Sequence, residues 1–168
     1  MFNEIQPARV FYFAYGSNMS RRQMRQRCPS ARFNGAALLQ GWTLKERLFA
    51  DIDRRKGAMV HGVAWEVTER CVRSLDIYEG VSCGLYQKEK VSITLENGSN
   101  VKALVYQETP QAKVERNNDA FTLSYVALCA ESAIECKVPV APVFKRRLRA
   151  YGKALGKSVN IHKEALGW

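Results

Sequence analysis

The sequence predicts an α+β fold, and three observations carry that expectation. Strand-like runs occur at 9–15 and 59–67 and as a pair flanking Asn97-Gly98. Segments with helical spacing follow Ser20 and Thr68 and gather again beyond residue 120. No GxGxxG turn follows the first strand and no GKS or GKT tripeptide occurs, so a doubly wound nucleotide-binding sheet has no support. The 168 residues suit one domain, 1–168, with the glycine-bearing residues 155–168 as a loosely held tail.

The elements follow in order. "RVFYFAY", 9–15, is β-branched and aromatic enough for a buried strand. Ser20 suits the N-cap of a helix that carries Arg21, Arg22, Met24 and Arg25 and stops near Cys28-Pro29. "FNGAALLQGWTLKERLF" reads as two strands with a bend near Gly41, and "MVHGVAWEV", 59–67, as another with Val63 and Trp65 on one side. Thr68 caps a helix in which Cys71, Val72, Leu75 and Tyr78 share a face. The alternating runs around Asn97-Gly98 form a hairpin, because that dipeptide suits a tight turn. After Pro110 the polar "QAKVERNNDA" reads as a loop, followed by helices over 121–134 and 142–154.

Composition narrows the function. The 46% hydrophobic and 25% charged fractions are those of a soluble globular protein, and no apolar run is long enough for a helical membrane span. "MFNEIQPARV" lacks the basic start and apolar stretch of a secretory signal, so a cytoplasmic location is expected. Five cysteines without a CxxC pair read as buried or incidental thiols. Two histidines, with no HxxH or HExxH spacing, give no support for a metal. The net charge of +10 includes eight basic residues from Lys137 to Lys163 with no acid among them. That run is a solvated face, a field that draws small anions, or a nucleic-acid surface, the last being the weaker reading.

Chemistry has two places to sit. In the first, Tyr15-Gly16-Ser17-Asn18, a strand stops and a helix begins; successive N–H groups there suit an anion or a developing oxyanion, and a plain turn is the alternative. The second is "LDIYEGVSCGLY", 75–86. Glu79 falls at a helix C-terminus, where the dipole disfavours negative charge. Partial burial would raise its pKa further, as a general acid or base requires; solvation would leave it ordinary. Asp76 shares Glu79's helix face or merely caps it, and Tyr86 follows a glycine-bearing loop.

Together these stretches resemble the gamma-glutamylcyclotransferase family. The likeness lies in "FAYGSNMS" at 13–20, "GVAWEV" at 62–67, "LDIYEGV" at 75–81 with "GLY" at 84–86, and "VKALVYQ" at 101–107, and extends over about residues 10–110. The resemblance implies a small mixed β-barrel wrapped by helices, no metal and no organic cofactor. It implies a small-molecule γ-glutamyl substrate held by Tyr15, Gly16, Ser17 and Asn18, with Tyr86 and Tyr106 facing it. Glu79 would be the acid–base residue in the release of 5-oxoproline from a γ-glutamyl amino acid or amine. A homodimer is implied by the resemblance alone. The chain departs from the family pattern near its C-terminus: Cys129 stands where glycine is expected, and Val143 or Phe144 stands near a tyrosine position.

Arg47, Arg54 and Arg55 are candidate partners for a substrate carboxylate, or else surface residues. Rival readings are a basic binding module, a catalytically inactive member of the same fold, and a cysteine hydrolase using Cys83 and His61.

Overall fold

Helix caps and buried strand faces organise the chain. The computed structural model describes residues 6–155. Ser20, Thr68, Thr109 and Thr122 each accept, through the side-chain oxygen, the N–H three residues on, from Gln23, Cys71, Ala112 and Tyr125. Each such cap satisfies an otherwise orphaned donor and contributes about 1 kcal/mol. They start helices α1 (Arg21–Arg27), α2 (Glu69–Tyr78), α3 (Pro110–Glu115) and α4 (Leu123–Glu135). A fifth helix, α5, spans Pro142–Leu155.

Five strands, β1 (Arg9–Ala14), β2 (Arg32–Glu46), β3 (Ala50–Thr68), β4 (Tyr86–Leu95) and β5 (Asn100–Glu108), close into a barrel in the order β1-β3-β2-β4-β5. Neighbouring strands run antiparallel except β1 and β5, whose parallel pairing of Phe11 with Ala103 and Tyr12 with Leu104 closes the ring. The barrel is therefore mixed, as the resemblance implied. Phe13, Leu39, Ile52, Val63, Ile93 and Val105 fill it, and the same core continues through Phe121, Phe144 and Leu148 beneath α4 and α5.

Three expectations need correction. The stretch around Gly41 is one strand, not two: the register of β2 against β3 shifts between Gln40 and Trp42, and Gly41 takes a φ of 80°. A left-handed residue there makes a bulge that bends the strand without ending it. β3 begins at Ala50 rather than near residue 59, although 53–58 are largely polar. Its acids Asp51 and Asp53 are paired with Arg47 in the turn before the strand and with Lys113 of α3, so ion pairs from outside the sheet replace the missing apolar alternation. Pro110–Glu115 is helix rather than loop, started by the Thr109 cap and a proline at its first position. Leu155 belongs to α5; the rest of the expected tail, 156–168, lies outside the described residues.

Candidate active site

β1 delivers Tyr12 and, just past its end, Tyr15 to one mouth of the barrel. The chain then turns through a single 3-10 turn, Ser17–Met19, in which the N–H of Met19 donates to the Gly16 carbonyl at 3.0 Å. Among the described residues the N–H groups of Ser17 and Asn18 donate to no protein acceptor, as expected at the start of a helical turn. Gly16 is needed for space. Its φ of −120° lies outside the left-handed region, but a Cβ there would stand 2.8 Å from the Tyr125 hydroxyl and 3.2 Å from the Ala50 Cβ.

Asn18 is the hub of the site. Its amide nitrogen donates to the Tyr12 hydroxyl at 2.9 Å and to Glu79 Oε1 at 3.1 Å. Its oxygen accepts from Gln23 Nε2 at 3.0 Å and from Arg27 at 2.9 Å, and its carbonyl accepts from the Trp65 indole at 3.0 Å. Gln23 and Arg27 are four residues apart and so share one face of α1.

Glu79 is the last residue of the α2 turn. Gly80, at φ 62°, then lets the chain reverse while its N–H donates to the Ile77 carbonyl. Burial pushes the Glu79 carboxyl up to about 7; the Arg27 charge and the Asn18 hydrogen bond pull the other way without cancelling it. The carboxylate and the bend thus face each other across hydrogen-bond distance.

Between them opens a cavity of about 240 Å³. Tyr15, Gly16, Ser17, Asn18, Glu79, Tyr86 and Tyr106 all line it, so the structure brings together the seven residues that the family resemblance pointed to. The Tyr15 hydroxyl donates to the Tyr106 carbonyl at 2.6 Å and the Tyr86 hydroxyl to the Ala50 carbonyl at 3.2 Å. The Tyr106 hydroxyl donates to Asp76 Oδ1 at 2.7 Å, while Lys88 holds the other Asp76 oxygen. Asp76 therefore orients Tyr106 and lies outside the cavity lining. Burial raises all three phenols above the usual tyrosine range, so they stay protonated donors.

Other lining residues escaped sequence reasoning: Tyr12, Gln23, Arg27, Phe49, Ala50, Leu85, Arg116, Tyr125 and Leu128 among them. The spacing of Gln23 and Arg27 was a readable signal. Tyr125 was not, because its hydroxyl reaches the Ala50 N–H, 75 residues away in sequence, at 3.0 Å. Arg47, Arg54 and Arg55 do not line the cavity. Arg47 is buried against Asp51, and Arg54 pairs with Glu89 and stacks over Trp42. Cys83 and His61 do not line it either, which removes the basis for a cysteine hydrolase. Arg147 in the basic α5 is tied to Glu46 by two hydrogen bonds of 2.7 and 2.9 Å, so that face is partly structural. No helix among the described residues is long and apolar enough to cross a membrane, and no three of their His, Cys, Asp or Glu side chains are grouped to hold a metal.

The chain that builds this bend, carboxylate and mixed barrel is similar to known proteins. Residues 12–124 match the family model described as gamma-glutamyl cyclotransferase, AIG2-like, and the chain belongs to that family. It is 33% identical over 110 residues to a Bos taurus gamma-glutamylcyclotransferase and 32% identical to the Homo sapiens protein of that name. Each match covers 58% of this chain and 58% of the relative, so the chain spans less than two thirds of the curated relatives' length. Among solved structures it is similar to a gamma-glutamyl cyclotransferase with TM-score 0.69 and 24% identity, covering 89% of this chain and 87% of that one. It is also similar to the human uncharacterized protein loc79017, with TM-score 0.68 and 25% identity over 88% and 86% of the two chains.

Proposed function

We propose that the cavity cyclises a γ-glutamyl compound to 5-oxoproline and releases the amino acid or amine it carried, with Glu79 moving the proton. The observation that carries this reading is the Glu79 carboxylate, lifted to about 7 and held 3.1 Å from the Asn18 amide at the cavity wall. At about 240 Å³ the cavity is smaller than the roughly 300–1,000 Å³ of pockets for drug-sized ligands, which suits a compact metabolite.

The chemistry needs little else. The α-amine of a γ-glutamyl group lies within reach of its own side-chain carbonyl, so attack closes a five-membered ring and the pocket has only to hold the chain curled. The obstacle is the α-ammonium, with a pKa near about 8, against about 4.3 for an ordinary glutamate. That gap costs roughly 5 kcal/mol. With Glu79 at about 7 it falls to about 1.4 kcal/mol. Glu79 takes a proton from the ammonium, and the freed nitrogen forms a bond to the carbonyl carbon. The amide C–N bond breaks as Glu79 returns that proton to the departing nitrogen. The second proton that the ring nitrogen must shed then passes through Glu79 as well, so the amine leaves as an ammonium and Glu79 ends ionised. Unbonded N–H groups of Ser17 and Asn18 supply donors for substrate oxygens, and the protonated phenols of Tyr86 and Tyr106 orient the curled chain.

The test is 5-oxoproline release by the purified protein from γ-glutamyl-alanine, glutathione, γ-glutamylethylamide and γ-glutamyl-ε-lysine. Release from at least one is expected, and Glu79→Gln should lower it by about 10²- to 10⁴-fold while the protein still melts cooperatively. Silence with all four compounds overturns the function. Near-normal rates in the variant remove Glu79 from it.

A further inference from the structure

Among the described residues, two guanidinium groups, Arg27 and Arg116, line the cavity, and Glu79 is the only acid that does so. The two arginines do different things. Arg27 bonds to Asn18, lies over the Tyr78 ring and acts electrostatically on Glu79. Arg116, just past α3, acts on Tyr86 and pairs with Glu108. Among the described residues its one side-chain hydrogen bond runs from a terminal nitrogen to Glu108 Oε1 at 3.2 Å. Glu108, the last residue of β5, is fully buried, so the guanidinium is anchored from behind and its other donors remain for the cavity. Arg47 Nε stands 3.8 Å from Glu108 Oε2, leaving Glu108 a cation even while Arg116 engages a second carboxylate.

We propose that Arg116 is the specificity-determining residue for the leaving group: it holds the α-carboxylate of the amino acid released when the γ-glutamyl amide breaks. The inference rests on the function proposed above and narrows its substrate to γ-glutamyl α-amino acids over γ-glutamyl amines. Charge supports it. Two arginines against one glutamate leave the lining with a net positive charge, and a γ-glutamyl amino acid, with two carboxylates and one ammonium, carries one negative charge. A γ-glutamyl amine carries none. Geometry supports it as well, since an arginine held by one terminal nitrogen keeps its Nε and second terminal nitrogen as a two-toothed edge for a carboxylate. Phe49, Leu85 and Leu128 contribute apolar wall to the same cavity, which suits the released amino acid's side chain.

γ-Glutamyl-alanine and γ-glutamylethylamide differ only by that carboxylate. The wild type should prefer the first by roughly 10- to 100-fold in kcat/KM, chiefly through KM, the range of one charged hydrogen-bonded contact. In Arg116→Gln the ratio should fall to within about threefold of unity. Arg116→Lys, which keeps the cation against Glu108 but loses the fork, should fall between them and serves where the glutamine variant does not fold. A wild type that turns over both compounds equally, or a folded Arg116 variant that keeps the wild-type ratio, overturns this inference and leaves the proposed function standing. No 5-oxoproline from either compound overturns this inference, and the proposed function falls with it only if glutathione and γ-glutamyl-ε-lysine are silent as well.

Discussion

Two buried polar clusters sit in this barrel and are built on opposite plans. Around Asn18, one neutral amide spends both donors and both acceptor positions on Tyr12, Glu79, Gln23 and Arg27. The other cluster is ionic: Asp51, fully buried, takes Arg47 at 2.6 Å, the Glu108 N–H at 2.7 Å and Lys113 at 3.4 Å. Its satisfaction is incomplete, since Arg47 Nε and Glu108 Oε2 have no hydrogen-bond partner. Burial raises both Glu79 and Glu108, yet only Glu79 lines the cavity. A saturated neutral hub fixes a carboxylate without supplying the counter-charge that would return it to the ordinary acidic range. The ionic cluster ties the turn between β2 and β3 to β3, β5 and α3, and among the described residues it meets the cavity only through Arg116.

If that division holds, breaking the ionic cluster should cost folding and spare chemistry. Asp51→Ala leaves the Glu108 N–H unpaired in the interior and strips Arg47 of its shortest ion pair, with only Asp53 at 3.2 Å still bonded to it, and losing one partner of a buried pair costs about 3–5 kcal/mol. Urea denaturation should show that loss, with activity per folded molecule within a few-fold of wild type; a large drop in kcat of the folded fraction would merge the two clusters. Breaking the hub should do the reverse. Asn18→Ala strands Tyr12 and Arg27 and should cost about 1–3 kcal/mol of stability. Turnover should fall by about 100-fold, the effect expected of a displaced acid–base group.

The same division explains what was legible in the sequence. The bend, its cap at Ser20, Glu79 at a helix end and the Asn97-Gly98 hairpin are local signals, and short-range sterics and hydrogen bonds fix them. The start of β3 was hidden because Asp51 and Asp53 look like loop residues until Arg47 and Lys113 are placed beside them. Arg116 and Tyr125 were hidden for a related reason: each reaches the cavity only after β5, α3 and α4 have folded against the barrel. Of the arginines singled out instead as carboxylate partners or surface residues, the fold directs Arg47 to Asp51 and Arg54 to Glu89.

The smallest predicted effect separates the hub's two roles by pH. Glu79 has an ordinary value of 4.5 when unfolded and about 7 when folded. Between those values the unfolded chain releases a proton that the folded chain keeps, so this residue's contribution to stability is full below about pH 4.5 and is lost as pH rises to about 7. Glu79→Gln lacks that loss. It should match the wild type near pH 4 and exceed it at pH 8 by about 1–3 kcal/mol, read from urea denaturation at each pH. Activity should run the opposite way, with kcat/KM of the wild type rising along an acid limb centred near 7. Arg27 and Asn18 both hold that value down, so Arg27→Gln and Asn18→Ala should each move the limb to higher pH, Arg27→Gln by more. A stability difference that stays flat across this range, or a limb near 4.5 in the wild type, would mean that Glu79 is an ordinary solvated carboxylate and that the cavity gives it no chemical advantage.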